Sequence, residues 1–242
     1  MRKISSAASF LGALSTLMLR ASMIFTMDIT WLGHSSFRIK GKTSTVITDP
    51  YDPAMVGLKF PKLEADIVTI SHEHQDHSRL DLISGTPKVV RGPGEYEIGG
   101  VSIFGISTFH DKEQGAERGR NTIYVMTIDG IVVCHLGDLG HKLSEEQVGE
   151  IGNIDVLLIP VGGVYSIDAE DGVGIVSSIE PSIIIPMHYN VPGATSELLS
   201  SLDTVDKFVK ELGIEPLKEA KLVVTKETLP LEMMLVVLEP KV

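Results

Sequence analysis

Residues 72–77 read His-Glu-His-Gln-Asp-His and follow directly on the largely apolar run Asp66-Ile67-Val68-Thr69-Ile70-Ser71. β-Branched residues in so short a run form a buried strand, which places three imidazoles and a carboxylate at the strand's C-terminal mouth. Imidazole and carboxylate suit Zn²⁺, Mn²⁺ or Fe. Four such groups packed this tightly cannot all face one ion, so the cluster points to a shared or two-metal site. A polar loop whose histidines fall together by chance is the competing reading. It weakens because five of the chain's eight histidines belong to one pattern.

The rest of the chain supplies strands to carry that site. Asp28 to Leu32, Phe37 to Lys40 and Thr45 to Thr48 read as short strands, the last ending at Asp49-Pro50, where proline stops the ladder. A Pro- and Gly-containing loop, Tyr51 to Glu64, leads to the strand before the histidine cluster. Asp76-His77-Ser78 can cap a short helix running to about Ile83. Lys88 to Arg91 and Val101 to Ser107 are further strands, and Phe109-His110-Asp111 opens a polar loop, Lys112 to Arg120. Asn121 to Ile128 and Ile131 to Leu136 form a hairpin around Asp129-Gly130, a strong two-residue turn signal. Ser144 to Gln147 has the pattern of a capping box. Ile154 to Val161 and Ser182 to Met187 are wholly apolar strands flanking a helix, Asp168 to Glu180. Thr195 to Leu212 reads as one long amphipathic helix stopped by Gly213, and strands at Leu222 to Thr225 and Met233 to Leu238 close the chain. Several strands are apolar on both faces, so both sides of the sheets must be covered. One compact domain over residues 27–242 is the simplest organisation.

Residues 1–26 stand apart. Ile4 to Leu19 carries no charge and follows Arg2 and Lys3, which imitates the start of a signal peptide, yet no good cleavage site follows. The run is short for a membrane span, which needs about 20 residues. Met18, Met23 and Met27 offer later starts, so a dispensable extension is expected, with a signal or anchor as the alternative. The single cysteine, Cys134, excludes an internal disulfide and fits a cytoplasmic setting. A net charge of −11 and a pI near 5.2 disfavour broad nucleic-acid binding.

Asp49, the cluster at 72–77, His110, Asp138 and His188 each follow an apolar run, and together they can gather along one edge of a sheet sandwich. In this set the chain resembles the metallo-β-lactamase superfamily. The H-x-H-x-D-H motif stands as His72, His74, Asp76 and His77, and Asp49, His110, Asp138 and His188 match the family's remaining motifs in order. Trp31-Leu32-Gly33-His34-Ser35-Ser36-Phe37 and Pro186-Met187-His188-Tyr189 look like the branch of small metal-dependent hydrolases that includes ascorbate-6-phosphate lactonase. The resemblance implies an αββα sandwich, two mixed sheets covered by helices, with two metals on one edge. His72, His74 and His110 would hold the first metal, Asp76, His77 and His188 the second, with Asp138 bridging and Asp49 supporting. Zinc or manganese is expected, with iron admissible. A water between two cations loses its proton readily, and the hydroxide would attack a carbonyl or phosphoryl centre, with Asp76 helping to move the proton.

His34, in a turn that the family fold places beside the metal edge, is a candidate catalytic residue in contact with substrate, with a structural turn role as the alternative. Tyr189, Arg118 and Arg120 are further candidates for substrate contact. His135 and Cys134 read as core residues, and His141 as a local cap. The leading function is a dinuclear hydrolase of a small ester, lactone or phosphoester. A metal-dependent nuclease or phosphodiesterase is the alternative, and the short interval between Asp138 and His188 leaves no room for the extra domain that nucleases of this superfamily often carry. An iron-binding redox protein is a third class, separated by metal content; a homo-oligomer is left open.

Overall fold

The computed structural model describes residues 26–241, so the expectation for residues 1–26 falls, but for Thr26, outside the described residues. Two mixed sheets face one another. The first runs in the spatial order Leu222–Val224, Met27–Gly33, Ser36–Lys40, Thr45–Thr48, Ile67–Ile70, Lys88–Arg91. The second runs Leu217–Glu219, Met234–Leu238, Ile183–Met187, Val156–Pro160, Ile131–His135, Arg120–Ile128, Val101–Phe109, Gly94–Ile98. Their facing sides enclose one large apolar core that includes Trp31, Phe37, Tyr124, Leu158 and Ile185.

Five α-helices lie outside the sheets among the described residues: α1 (Pro53–Val56), α2 (Glu145–Ile151), α3 (Ala169–Ile179), α4 (Glu197–Ser200) and α5 (Val205–Leu212). α3 packs on α5 over the second sheet. The outer face of the first sheet is covered by a smaller cluster, in which Leu32, Ile47, Val68 and Ile70 meet Phe60, Leu63 and Leu80 from the segment between its strands.

Local signals act as read in several places. Ser144 and Gln147 close a reciprocal capping box at the start of α2, and Asp168 caps α3 by accepting from the Asp171 backbone N–H. Asp129 and Gly130 both take positive φ, as the hairpin turn requires.

Two expected helices differ. The helix foreseen from Asp76 to Ile83 is a series of turns ending in a 3-10 turn, Leu80–Leu82, because the Asp76 and His77 side chains are committed to His34 and Asp49 and cannot cap. The long helix at Thr195 to Leu212 is split into α4 and α5. The backbone between them bonds elsewhere: Asp203 N–H donates to Gly162 O at 2.9 Å, and Asn190 N–H donates to Asp203 O at 3.0 Å. Gly94–Ile98 and Leu217–Glu219 are additional edge strands in segments that read as turns or irregular chain.

Candidate metal centre

Strand direction brings the polar residues together. His34 follows Met27–Gly33, Asp49 follows Thr45–Thr48, and His72 stands two residues past Ile67–Ile70. His110 follows Val101–Phe109, Asp138 lies three residues past Ile131–His135, and His188 follows Ile183–Met187. The register of the pairs sets all these C-terminal ends on one edge of the sandwich, where open α/β sheets place their ligands. Three of the residues, His34 (φ 52°), Asp49 (φ 37°) and His188 (φ 51°), sit in the left-handed region that non-glycine residues avoid. Strain of this kind collects at functional sites. Gly137 (φ 58°) shows how tightly the edge is built, since a Cβ there would collide with Asn121 Oδ1 and Ser71 Cβ.

One group of candidate donors is His72, His74 and His110, whose donor atoms all lie within 4.8 Å of one another. His72 Nδ1 lies 2.9 Å from Ser71 Oγ, and Ser71 Oγ donates to Asp49 Oδ2 at 2.5 Å. The hydroxyl's one proton is thus spent on the carboxylate, so His72 must donate from Nδ1. That leaves Nε2 unprotonated, buried and without a hydrogen-bond partner. Burial, aided by the charge of His77, holds His72 well below the usual imidazole range, and burial lowers His110 against the pull of Asp138. Neutral imidazoles are what a cation requires.

A second group is His34, Asp76, His77 and His188, all buried and also within 4.8 Å of one another. His77 Nδ1 donates to Asp49 Oδ2 at 2.9 Å, which turns Nε2 toward the carboxylates, 3.1 Å from Asp138 Oδ2 and 3.6 Å from Asp76 Oδ2. The 3.1 Å approach is out of hydrogen-bond alignment, and this Nε2 too has no hydrogen-bond partner. Burial alone would raise Asp76, but the charge of His77 and the bond from His34 Nε2, at 3.2 Å, hold it far below the carboxylate range. Burial would likewise raise Asp138, and His188 and His77 hold it well below. Burial would lower His77, but Asp138 and Asp76 outweigh that and keep it well above the usual value. His34 is lowered to about 4, chiefly by burial and then by His188.

Asp138 stands between the groups. Its Oδ2 lies 3.4 Å from His110 Nε2, 3.1 Å from His77 Nε2 and 3.0 Å from His188 Nε2. Asn121 fixes the approach, accepting from Asp138 N–H through Oδ1 and donating through Nδ2 to Leu136 O. Buried ring nitrogens without partners are rare and call for an explanation, and a cation between nitrogen and carboxylate donors satisfies them. The donor chemistry fits.

The expected substrate-contact residues fare differently. His34 has a fully enclosed side chain behind Asp76, which corrects the expectation that it faces substrate in a turn. Tyr189 is buried against Trp31, with ring centres 5.0 Å apart, and lines a cavity with Val237 and Pro240 instead of the one over the metal edge. Its ring packs on Trp31, so adjacency to His188 in sequence does not carry it into the site. Arg118 lines the cavity of about 490 Å³ over His74, Asp76, His110 and Asp138, whereas Arg120 lines a neighbouring cleft with His72 and His74. His135 is a satisfied core histidine, donating from Nε2 to Ser35 O and accepting at Nδ1 from Gly137 N–H. His141 accepts at Nε2 from Phe109 N–H, apart from both donor groups. Sequence reading missed Ser71, Asn121 and Asp111. Asp111 could have been suspected from its place between a ligand-type histidine and a polar loop.

A family described as the "Beta-lactamase superfamily domain" matches residues 28–188, from the first strand through His188. The chain belongs to the β-lactamase superfamily. Superfamily relatives include a UPF0173 metal-dependent hydrolase of Thermoplasma volcanium, 31% identical over 68% of this chain and 84% of its own. A UPF0173 protein of Pyrococcus abyssi is 30% identical over 70% of this chain and 87% of its own. Among solved structures, a candidate zinc-dependent hydrolase of the metallo-β-lactamase superfamily from Thermotoga maritima is 39% identical, covers 88% of this chain and 98% of its own, and superposes with a TM-score of 0.71. The fold is the superfamily's α/β sandwich, and no helix among the described residues is long and apolar enough to cross a membrane.

Proposed function

We propose that this metal-dependent hydrolase holds two divalent cations and cleaves a small ester, lactone or phosphoester. The observation that carries the reading is the position of Asp138 Oδ2, within 3.4 Å of imidazole nitrogens from both donor groups. His72, His74 and His110 would hold one cation, Asp76, His77 and His188 the other, and Asp138 both. Zinc or manganese suits the mixed nitrogen and oxygen donors, with iron tolerated on the carboxylate-rich side. When bound, the cations supply Lewis acidity and lower the pKa of a water to about 7.

The chain's own residues do the rest. Asp49 holds His77 by direct bonding and His72 through Ser71, so one carboxylate orients both rings with Nε2 toward the metal edge. Asp76 lines the 490 Å³ cavity, where its carboxylate can orient the attacking water and help to move its proton. The cavity has the volume of a small-molecule site. A lone, buried thiol supports a cytoplasmic setting.

Metal analysis of purified protein should return about two divalent ions per chain. Asp138→Ala should lose most of one equivalent; a single ion in both proteins under metal-replete conditions overturns the shared site. Activity is read on lactones, phosphodiesters, phosphomonoesters and thioesters with defined metals. A nuclease reading rests on Arg118 and Arg120 beside the edge, and it requires kcat/KM on polynucleotides to fall steeply with salt.

A further inference from the structure

The cavity over the metal edge has two chemically different kinds of lining. One is apolar: Met55 of α1, 41% exposed, and half-buried Leu198 of α4 and Tyr165. The two short helices are fastened together, for Ser196 Oγ donates to Val56 O at 2.6 Å and Thr195 Oγ1 donates to Gly57 O at 3.3 Å. Met55 and Leu198 thus form a wall and not two independent tips.

The other kind is Arg118, the only Lys or Arg among the described residues that line the cavity. Its backbone is anchored by Asp111, whose buried carboxylate accepts from four N–H groups: Glu113 and Gly115 at 2.8 Å, Glu117 at 3.1 Å and Arg118 at 2.7 Å. The guanidinium carbon lies 5.8 Å from the Tyr165 ring centre, and Nη1 donates to Glu117 Oε2. Its acidic neighbour Glu117, at 3.3 Å, is 61% exposed, and such a surface pair is worth little against a bound anion. Glu73, also on the cavity, is paired with Arg91.

We infer that the substrate is a small amphiphilic anion, an ester or lactone whose short apolar body lies on Met55, Leu198 and Tyr165 and whose one anionic group is held by Arg118. This rests on the hydrolase reading above, in which the cations offset the negative charge of Asp76 and Asp138. Hydrolysis adds water across the ester bond: the acyl carbon gains the hydroxyl oxygen, and the leaving alkoxide takes the proton.

The test uses the metal-loaded full chain and matched pairs: methyl butyrate with monomethyl succinate, and methyl hexanoate with monomethyl adipate. The anionic member of each pair should have the higher kcat/KM by about tenfold or more, as charge-assisted bonds to a fixed arginine allow. Within each series, kcat/KM should rise by about fourfold per methylene placed on the wall. Arg118→Ala should collapse the anionic-to-neutral ratio, and Arg118→Lys should restore part of it, since lysine keeps the charge without the fork. Leu198→Asp should flatten the chain-length series, mainly through KM. Bound metal is measured in every variant, so an unloaded centre is not mistaken for a lost contact.

Calorimetric binding of the N-methylamides of the same acids reads the contacts without turnover. If the amides bind with the same preferences but no ester is cleaved, the hydrolase reading fails and the substrate class stands. If esters are cleaved with no preference for charge or chain length, or if Arg118→Ala leaves the ratio unchanged, the inference is overturned while the hydrolase reading survives.

Discussion

The two donor groups both lie within 3.4 Å of Asp138 Oδ2 but are built differently. His34, Asp76, His77 and His188 are all buried, and two of the four, His34 and His188, hold left-handed backbone. His72, His74 and His110 have ordinary backbone, and His74 is exposed at the mouth of the cavity. The enclosed group is part of the packing: His188 N–H donates to His34 O at 3.1 Å, and Trp31 Nε1 donates to the same oxygen at 2.9 Å, tying the two sheets together. The open group has two buried members, His72 and His110, and one exposed member, His74. Stability therefore belongs mainly to the enclosed half, and access to substrate mainly to the open one.

The comparison breaks most severely at the shared residue. Asp138→Ala should weaken cation binding by more than about 100-fold, read by competition with a chelating dye. If both cations bind the variant as tightly as the parent, the two halves do not share this carboxylate.

Asp49→Ala should come next. It strands Ser71 N–H, Ser71 Oγ and His77 Nδ1, each bonded to Asp49 at 2.5–2.9 Å, and a buried donor left unpaired costs about 1–3 kcal/mol. Urea unfolding of the cation-free protein should show that loss. His74→Ala should stay within about 0.5 kcal/mol of the parent, as an exposed side chain does. Equal losses in the two variants would erase the distinction between an enclosed and an open half.

A smaller effect is expected at His34. Asparagine tolerates its left-handed backbone, so His34→Asn removes the imidazole that bonds Asp76 with little added strain. Affinity for the enclosed cation should fall about tenfold, with the other cation unchanged. A uniform fall for both would mean that His34 supports the whole edge.

The mildest prediction concerns the open half alone. Asp111→Ala should release the 111–118 turn and raise KM for an anionic ester by about tenfold or less, with metal content unchanged. A change in metal content instead would make Asp111 a brace for His110.

Legibility followed the same division. The strand–cluster junction at Ile70-Ser71-His72, the Asp129-Gly130 hairpin and the Ser144 capping box are local, and each was visible because neighbouring residues alone decide it. The Thr195 to Leu212 periodicity misled, since hydrogen bonds from Asp203 to Gly162 and Asn190 compete with the helix and arise only when distant loops meet. Tyr189 misled for a related reason: adjacency to His188 says nothing about which way a ring turns once Trp31 lies beneath it.

By itself the sequence determined that apolar strands would end in imidazole and carboxylate, because that depends on composition and local periodicity. Tertiary structure alone decided that Ser71 relays Asp49 to His72, that His34 lies behind Asp76, and that Met55, Leu198 and Arg118 line one cavity. Those relations join residues at least 22 positions apart or depend on which ring nitrogen carries a proton. No local pattern encodes them, since each exists only once two sheets have packed and their strand ends share an edge.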